Sequence, residues 1–302
     1  MSATTTGPGG RTIRLAAGDY TATVVSVGAG LARLTWRGKD LVVAHEPDAM
    51  PPAYLGKTLV PWPNRVSDGR YVRDGVTHEL PVNEHATNAA LHGLACWVAW
   101  DVVEADEAAV TMQTDIAPQY GYPFWLRSSV RYALAPGSGL TTTITTTNLG
   151  ADVAPYGAST HPYLTCDGTP VDECVLVTPA TQVLEVDERM RPRASVDVDG
   201  TELDLRAPAP LGARQIDHAY TGLPAVDWAV TLTDPATGLT ARMRADAPWV
   251  QVYTGEKVGR RGVAVEPMTC PPDAFNSGTD LVELAPGASH TLALSIDATL
   301  GS

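Results

Sequence analysis

An all-β chain folded as a large, mostly antiparallel β-sandwich is what the sequence predicts, and three observations carry that prediction. Apolar and polar residues alternate with period two along the chain, Thr, Val, Tyr and Trp stand where helix formers would otherwise be, and turn signals interrupt the alternation at short intervals. No segment has the 3.6-residue apolar spacing of an amphipathic helix. Many short strands with hairpin spacing must pair and cover their sheets, and a chain of 302 residues accommodates two large sheets packed face to face.

The elements follow in order. Turns fall at Ser67-Asp68-Gly69, Asp74-Gly75, Pro136 to Gly139, Asn148-Leu149-Gly150, Asp167-Gly168, Asp199-Gly200 and Thr237-Gly238. Between them, Trp228, Val230 and Leu232 alternate with Ala229, Thr231 and Thr233, and Leu292, Leu294 and Ile296 alternate with Thr291, Ala293 and Ser295. Both runs read as strands with one wet face. Pro208 to Pro210 reads as a long loop, and Pro271 to Asn276 as a short helical turn opened by its prolines. The first ten residues, MSATTTGPGG, lack a basic start and an apolar core, so they read as a flexible leader and not a secretory signal. Residues 11–302 then form a single domain, since neither a fixed-period repeat nor a linker divides them.

Charge narrows the partners. A formal charge of −13 with 21 basic against 34 acidic residues lacks the clustered cations that nucleic acid or an anionic membrane demands, so a neutral small molecule is the expected partner. No stretch approaches about 18 consecutive apolar residues, the length needed for a spanning helix. The four cysteines, Cys96, Cys166, Cys174 and Cys270, are scattered and form no CxxC pair, which points to a reducing compartment and a cytoplasmic protein. Nothing in the sequence sets the oligomeric state, and a monomer or weak homodimer is the expectation. No HxxxH, HxH or CxxC spacing offers a compact ligand set, so neither metal nor cofactor is expected.

Chemistry-bearing residues collect near strand ends. His161 stands in YGASTHPYL directly before Pro162, whose ring disfavours helix at the preceding residue and holds His161 extended. Glu266 ends an apolar run in VAVEPMTCPPDAFNSG and directly precedes Pro267. Two ionisable residues of complementary type, each aimed by a following proline, suit two-ended proton transfer. Arg65 follows the stiff Pro61-Trp62-Pro63-Asn64 loop, and Gly93 permits a tight turn that would expose His92. Asp217 lies in Ile216-Asp217-His218, and Gln251 on the polar face of WVQVYT. Each also fits a plainer role: Arg65 a surface ion pair, His92 a satisfied loop histidine, Asp217 a turn former, Gln251 a solvated strand residue.

Taken together, the motifs resemble the aldose 1-epimerase (galactose mutarotase) family over nearly the whole chain. They are GKTLVPWPNRVSDGRY from Gly56, NAALHG from Asn88, YGYPFWLR from Tyr120, GLTTTITTTNLG from Gly139, HPYL from His161, IDHAY from Ile216, WVQVYTG from Trp249 and EPMTCPPDAFNSG from Glu266. The resemblance implies a β-supersandwich, His161 as general acid and Glu266 as general base. It also implies Arg65, His92, Asp217 and Gln251 on the sugar hydroxyls, with Asn64 supporting the Arg65 loop. Acid and base in contact would each favour the other's charged form. Trp62, Tyr163 and Phe275 are expected to shape the sugar pocket. Three alternatives stay open: a hexose 6-phosphate 1-epimerase using Arg260 and Arg261, a non-catalytic carbohydrate-binding sandwich, and a glycoside hydrolase with Asp217 and Glu266 as its carboxylates.

Overall fold

A computed structural model describes residues 7–301. Residues 1–6, most of the expected leader, lie outside the described residues. From Gly7 the chain is pinned: Gly7 and Gly10 close a turn, and the Val27 N–H donates to the Gly9 carbonyl over 2.9 Å.

Two large sheets dominate. The first has eight strands in the spatial order Asp101–Ala105, Ala109–Ile116, Leu126–Ala135, Gly139–Asn148, Ser289–Leu300, Leu239–Ala245, Trp228–Thr233 and Val175–Val177. The second has six: Tyr163–Leu164, Val263–Met268, Trp249–Tyr253, Asp217–Thr221, Gln182–Val186 and Pro192–Asp197. A four-stranded meander, Thr12–Ala17, Tyr20–Val25, Gly30–Trp36 and Lys39–Asp40, forms a third sheet. Neighbouring strands pair antiparallel within all three sheets. The fold is therefore the all-β antiparallel sandwich that the alternation predicts.

Inward-facing residues of the sheets merge into one apolar core. Val130, Ile144, Leu294, Met243 and Val230 from the eight-stranded sheet meet Val250, Val252, Val263 and Val265 from the six-stranded one. The predicted strands at Trp228–Thr233 and Leu292–Ile296 bury the apolar set of their alternation. The six-stranded sheet departs from the one-wet-face expectation, because all six residues of Val263–Met268 are buried. Its second face is covered by the loops that carry the candidate site, so Gln251 is only 2% exposed instead of solvated. The helical turn expected at Pro271 to Asn276 starts three residues later and is shorter, Ala274–Ser277, after a left-handed Asp273.

Candidate active site

The covered face of the six-stranded sheet forms the floor of a cavity of about 220 Å3. Strand register does the first part of the positioning. Gln251 pairs directly with Glu266 and Asp217 with Tyr253, so these four side chains emerge on one face while Val250, Val252 and Val265 point into the core. Two loops supply the wall. Asn64 and His92 both adopt the left-handed backbone, with φ of 52° and 64°, and the His92 N–H donates to the Asn64 carbonyl over 2.8 Å. Gly93 is obligatory beside them, since its φ is 75° and a Cβ there would sit 2.2 Å from the Val60 carbonyl oxygen. The turn does not expose His92: the side chain is buried at the cavity wall, 5% exposed.

His161 and Glu266, 105 positions apart in sequence, meet here: His161 Nε2 lies 3.3 Å from Glu266 Oε1. The backbone of His161 is fixed on both sides, its N–H donating to the Lys57 carbonyl and its carbonyl accepting from Gly56 N–H, each over 2.9 Å. Its ring stacks on Tyr163 with centroids 5.0 Å apart, as the two-residue extended spacing predicts. Tyr163 is anchored in turn by donating its hydroxyl to the Ala53 carbonyl over 3.1 Å. Asp217 Oδ1 accepts a 2.6 Å bond from Gln251 Nε2, and Asp217 Oδ2 lies 3.7 Å from Arg65 Nη2. Asn64 Oδ1 accepts the Arg65 N–H over 2.9 Å, which fixes the loop at the arginine. The seven residues to which the resemblance gives catalytic, hydroxyl-binding or loop-supporting roles, Asn64, Arg65, His92, His161, Asp217, Gln251 and Glu266, all line this one cavity.

Electrostatics here run against the mutual charging expected of a paired imidazole and carboxylate. Burial pushes His161 down to about 3, with the positive charges of Lys257 and Arg65 acting in the same direction. Burial also pushes Glu266 well above its ordinary value, helped by Asp217 and opposed by Arg65. Desolvation thus outweighs the attraction between imidazolium and carboxylate, and the pair favours a neutral imidazole facing a carboxylic acid. His92 is likewise held neutral, by burial first and then by His161 and Arg65. Four polar atoms of the cavity residues are buried without a partner: His92 Nδ1, His161 Nδ1, Gln251 Oε1 and Glu266 Oε2.

Three polar lining residues have no signal in the sequence: Tyr54, Glu84 and Lys257. Tyr54 packs edge-on against His92, with centroids 4.6 Å apart. Glu84 pairs with Arg65 across 19 positions through both carboxylate oxygens, a contact that no periodicity announces. Trp62 and Phe275, expected in the pocket, pack against each other in the core, with centroids 5.5 Å apart. Arg260 and Arg261 stay outside the cavity. Arg260 is bound by Asp172 at 2.6 Å and Glu256 at 2.7 Å, and Arg261 Nε donates to the Val258 carbonyl. Among the described residues, no group of three or more His, Cys, Asp or Glu side chains could hold a metal ion. Nor is any helix among them long and apolar enough to cross a membrane.

The antiparallel β-sandwich, with His161, Glu266, Asp217, Arg65 and Gln251 gathered on the covered face of its six-stranded sheet, is a mutarotase-like fold. The aldose 1-epimerase family model matches residues 11–297, and the chain belongs to that family. It is 47% identical over 287 residues to YihR, an uncharacterized protein of Escherichia coli K12, covering 95% of this chain and 93% of that one. It is 26% identical over 218 residues to mouse galactose mutarotase, covering 67% of this chain and 62% of that one. Among solved structures, the GalM/aldose epimerase homologue from C. elegans superimposes with a TM-score of 0.86 at 22% identity, over 96% of this chain and 99% of that one. Galactose 1-epimerase from Lactobacillus acidophilus does so with a TM-score of 0.84 at 20% identity, over 96% and 95%. These two likenesses show the fold.

Proposed function

We propose that this protein is an aldose 1-epimerase that interconverts the α and β anomers of a free aldohexose such as glucose or galactose. The observation that carries the reading is the 3.3 Å approach of His161 Nε2 to Glu266 Oε1 on the floor of a cavity also lined by Arg65, His92, Asp217 and Gln251. At about 220 Å3 the cavity falls below the roughly 300–1,000 Å3 of drug-sized sites, which suits a single sugar ring. The unpartnered atoms on Gln251, His92, His161 and Glu266 support it as well, because buried polar groups cost about 1–3 kcal/mol each until a ligand pairs them.

Opening the ring moves two protons. Glu266 as carboxylate takes the proton of the anomeric hydroxyl, and His161 as imidazolium gives one to the ring oxygen. The aldehyde then rotates about its C1–C2 bond and closes on the other face with the roles exchanged. The proton inventory is consistent with the burial found at the site. An imidazolium beside a carboxylate and a neutral imidazole beside a carboxylic acid contain the same number of protons, and burial favours the second state. Ring opening carries the pair from the charged state to the neutral one, so burial makes the proton transfers downhill and in equal measure makes the reactive charged pair the less populated resting state. Arg65, Asp217, Gln251 and His92 would hold the hydroxyls, with Asn64 bracing Arg65.

The four cysteines are buried and free, which supports a cytoplasmic setting. The test of the function is polarimetry on freshly dissolved α-glucose and α-galactose: the protein should speed the drift in rotation far above the buffer rate. Binding of either sugar without any acceleration would instead identify a non-catalytic carbohydrate-binding sandwich.

A further inference from the structure

Arg65 does not reach the cavity as a free cation. A guanidinium has five N–H donors. Arg65 Nε and Nη2 bond the two oxygens of Glu84 at 2.5 and 2.9 Å, and Nη1 lies 3.4 Å from Asn64 Oδ1. That leaves one donor on Nη1 and one on Nη2, the latter beside Asp217 at 3.7 Å. Both partners of the pair are largely buried, with side chains 12% and 13% exposed, unlike the exposed ion pairs that contribute little.

Glu84 is itself braced. Its main chain bridges Ala89 in both directions, at 3.2 and 3.1 Å, and Thr87 donates its hydroxyl to Glu84 Oε2. Arg189 clamps Thr87 from the outside, donating to its carbonyl from Nε at 3.2 Å and Nη2 at 3.0 Å. Asn83, the preceding residue, accepts from the Leu91 N–H at 2.7 Å and donates to the Leu91 carbonyl at 3.0 Å. The loop is built so that one carboxylate meets one guanidinium in a fixed plane.

We propose that Glu84 is a positioning residue for sugar epimerisation: it locks the Arg65 fork so that the two remaining N–H groups face the sugar, and it balances the Arg65 charge beside the proton-transferring pair. The proposal rests on the epimerase reading above. The groups facing that pair are His92 and Tyr163 on the wall, Asp217 and Tyr253 on the sheet, and Lys257 at the rim. The Arg65 charge disfavours imidazolium at His161 and favours carboxylate at Glu266. Removing the negative charge of Glu84 strengthens both effects, so both limbs of a bell-shaped pH profile move to lower pH.

The test compares Glu84→Gln, Glu84→Asp and Thr87→Val by polarimetric kcat and KM across pH, together with the NMR signal of the Arg65 Nε–H. Glu84→Gln should lower kcat/KM about 10- to 100-fold, the range expected for a misaligned substrate contact, and move the profile to lower pH. Glu84→Asp and Thr87→Val keep the charge, so each should lose less kcat/KM and leave the pH profile in place. Wild-type kcat, KM and pH profile in a folded Glu84→Gln protein would overturn the proposal, leaving a purely structural ion pair. If Glu84→Gln does not fold, unchanged kcat/KM in both charge-keeping variants overturns it equally. The Arg65 Nε–H should exchange slowly in the wild type and quickly in Glu84→Gln. That signal reads the lock without any turnover, so an inactive wild-type protein would defeat the epimerase reading while an unaltered signal would defeat the role of Glu84.

Discussion

His161 Nε2 and Glu266 Oε1 lie 3.3 Å apart between side chains that are 7% and 2% exposed. Two titratable groups so deeply buried are tolerated only as a neutral pair or a tightly compensated one. Neutral isosteres should therefore separate chemistry from folding. Glu266→Gln and His161→Asn are each expected to lower kcat by about 10²- to 10⁴-fold, the usual worth of a positioned acid or base. Neither should lower Tm appreciably. Polarimetry and thermal melts on the same samples check both halves, and near-normal turnover in either variant would remove that residue from the mechanism.

Acid should weaken the fold through His161. Its folded value of about 3 lies below the ordinary 6.5, so between those values the unfolded chain binds the additional proton. Stability contributed by the neutral ring is complete above about 6.5 and drains away as pH falls toward 3. Glu266 has the opposite sign: raised in the fold, it contributes below its ordinary 4.5 and loses that contribution as pH rises through the folded value. Urea midpoints measured from pH 7 to 4 should fall more steeply for the wild type than for His161→Asn. Parallel curves would mean that the ring titrates normally.

Asp217 contacts both Gln251 and Arg65, so replacing its carboxylate disturbs together two residues proposed to hold the sugar hydroxyls. Asp217→Ala should raise KM and lower kcat, with kcat/KM down about 10- to 100-fold if the charged contacts are worth about 1.5–3 kcal/mol. Unchanged constants would reduce Asp217 to a turn former.

Gly93→Ala should cost about 2 kcal/mol or more, because the left-handed backbone and the close Val60 carbonyl both refuse a methyl group. Denaturant melts measure it. Wild-type stability would show that the turn relaxes without penalty.

The residues legible in the sequence were those whose neighbours fix the backbone. Pro162 and Pro267 marked His161 and Glu266, and Pro61 and Pro63 marked the approach to Arg65. Gln251 looked solvated because alternation reports which face a side chain takes and says nothing about what covers that face. Here the covering comes from the loops bearing Tyr54, Asn64 and His92, far away in sequence. Trp62 was misplaced for a related reason: its stiff loop aims Arg65 at the cavity and turns the indole inward, where its N–H donates to the Ala90 carbonyl over 3.2 Å. Glu84 and Tyr54 were invisible because their partners are set by loop packing, which carries no period.

The strand Ser289–Leu300 runs between Gly139–Asn148 and Leu239–Ala245 in the middle of the eight-stranded sheet. Until those twelve residues leave the ribosome, the sheet exists as two halves with bare edges, each able to recruit a stranger's strand. Nascent chains stalled just upstream should therefore cling to chaperones or clump, and their release should coincide with synthesis of this single late insert.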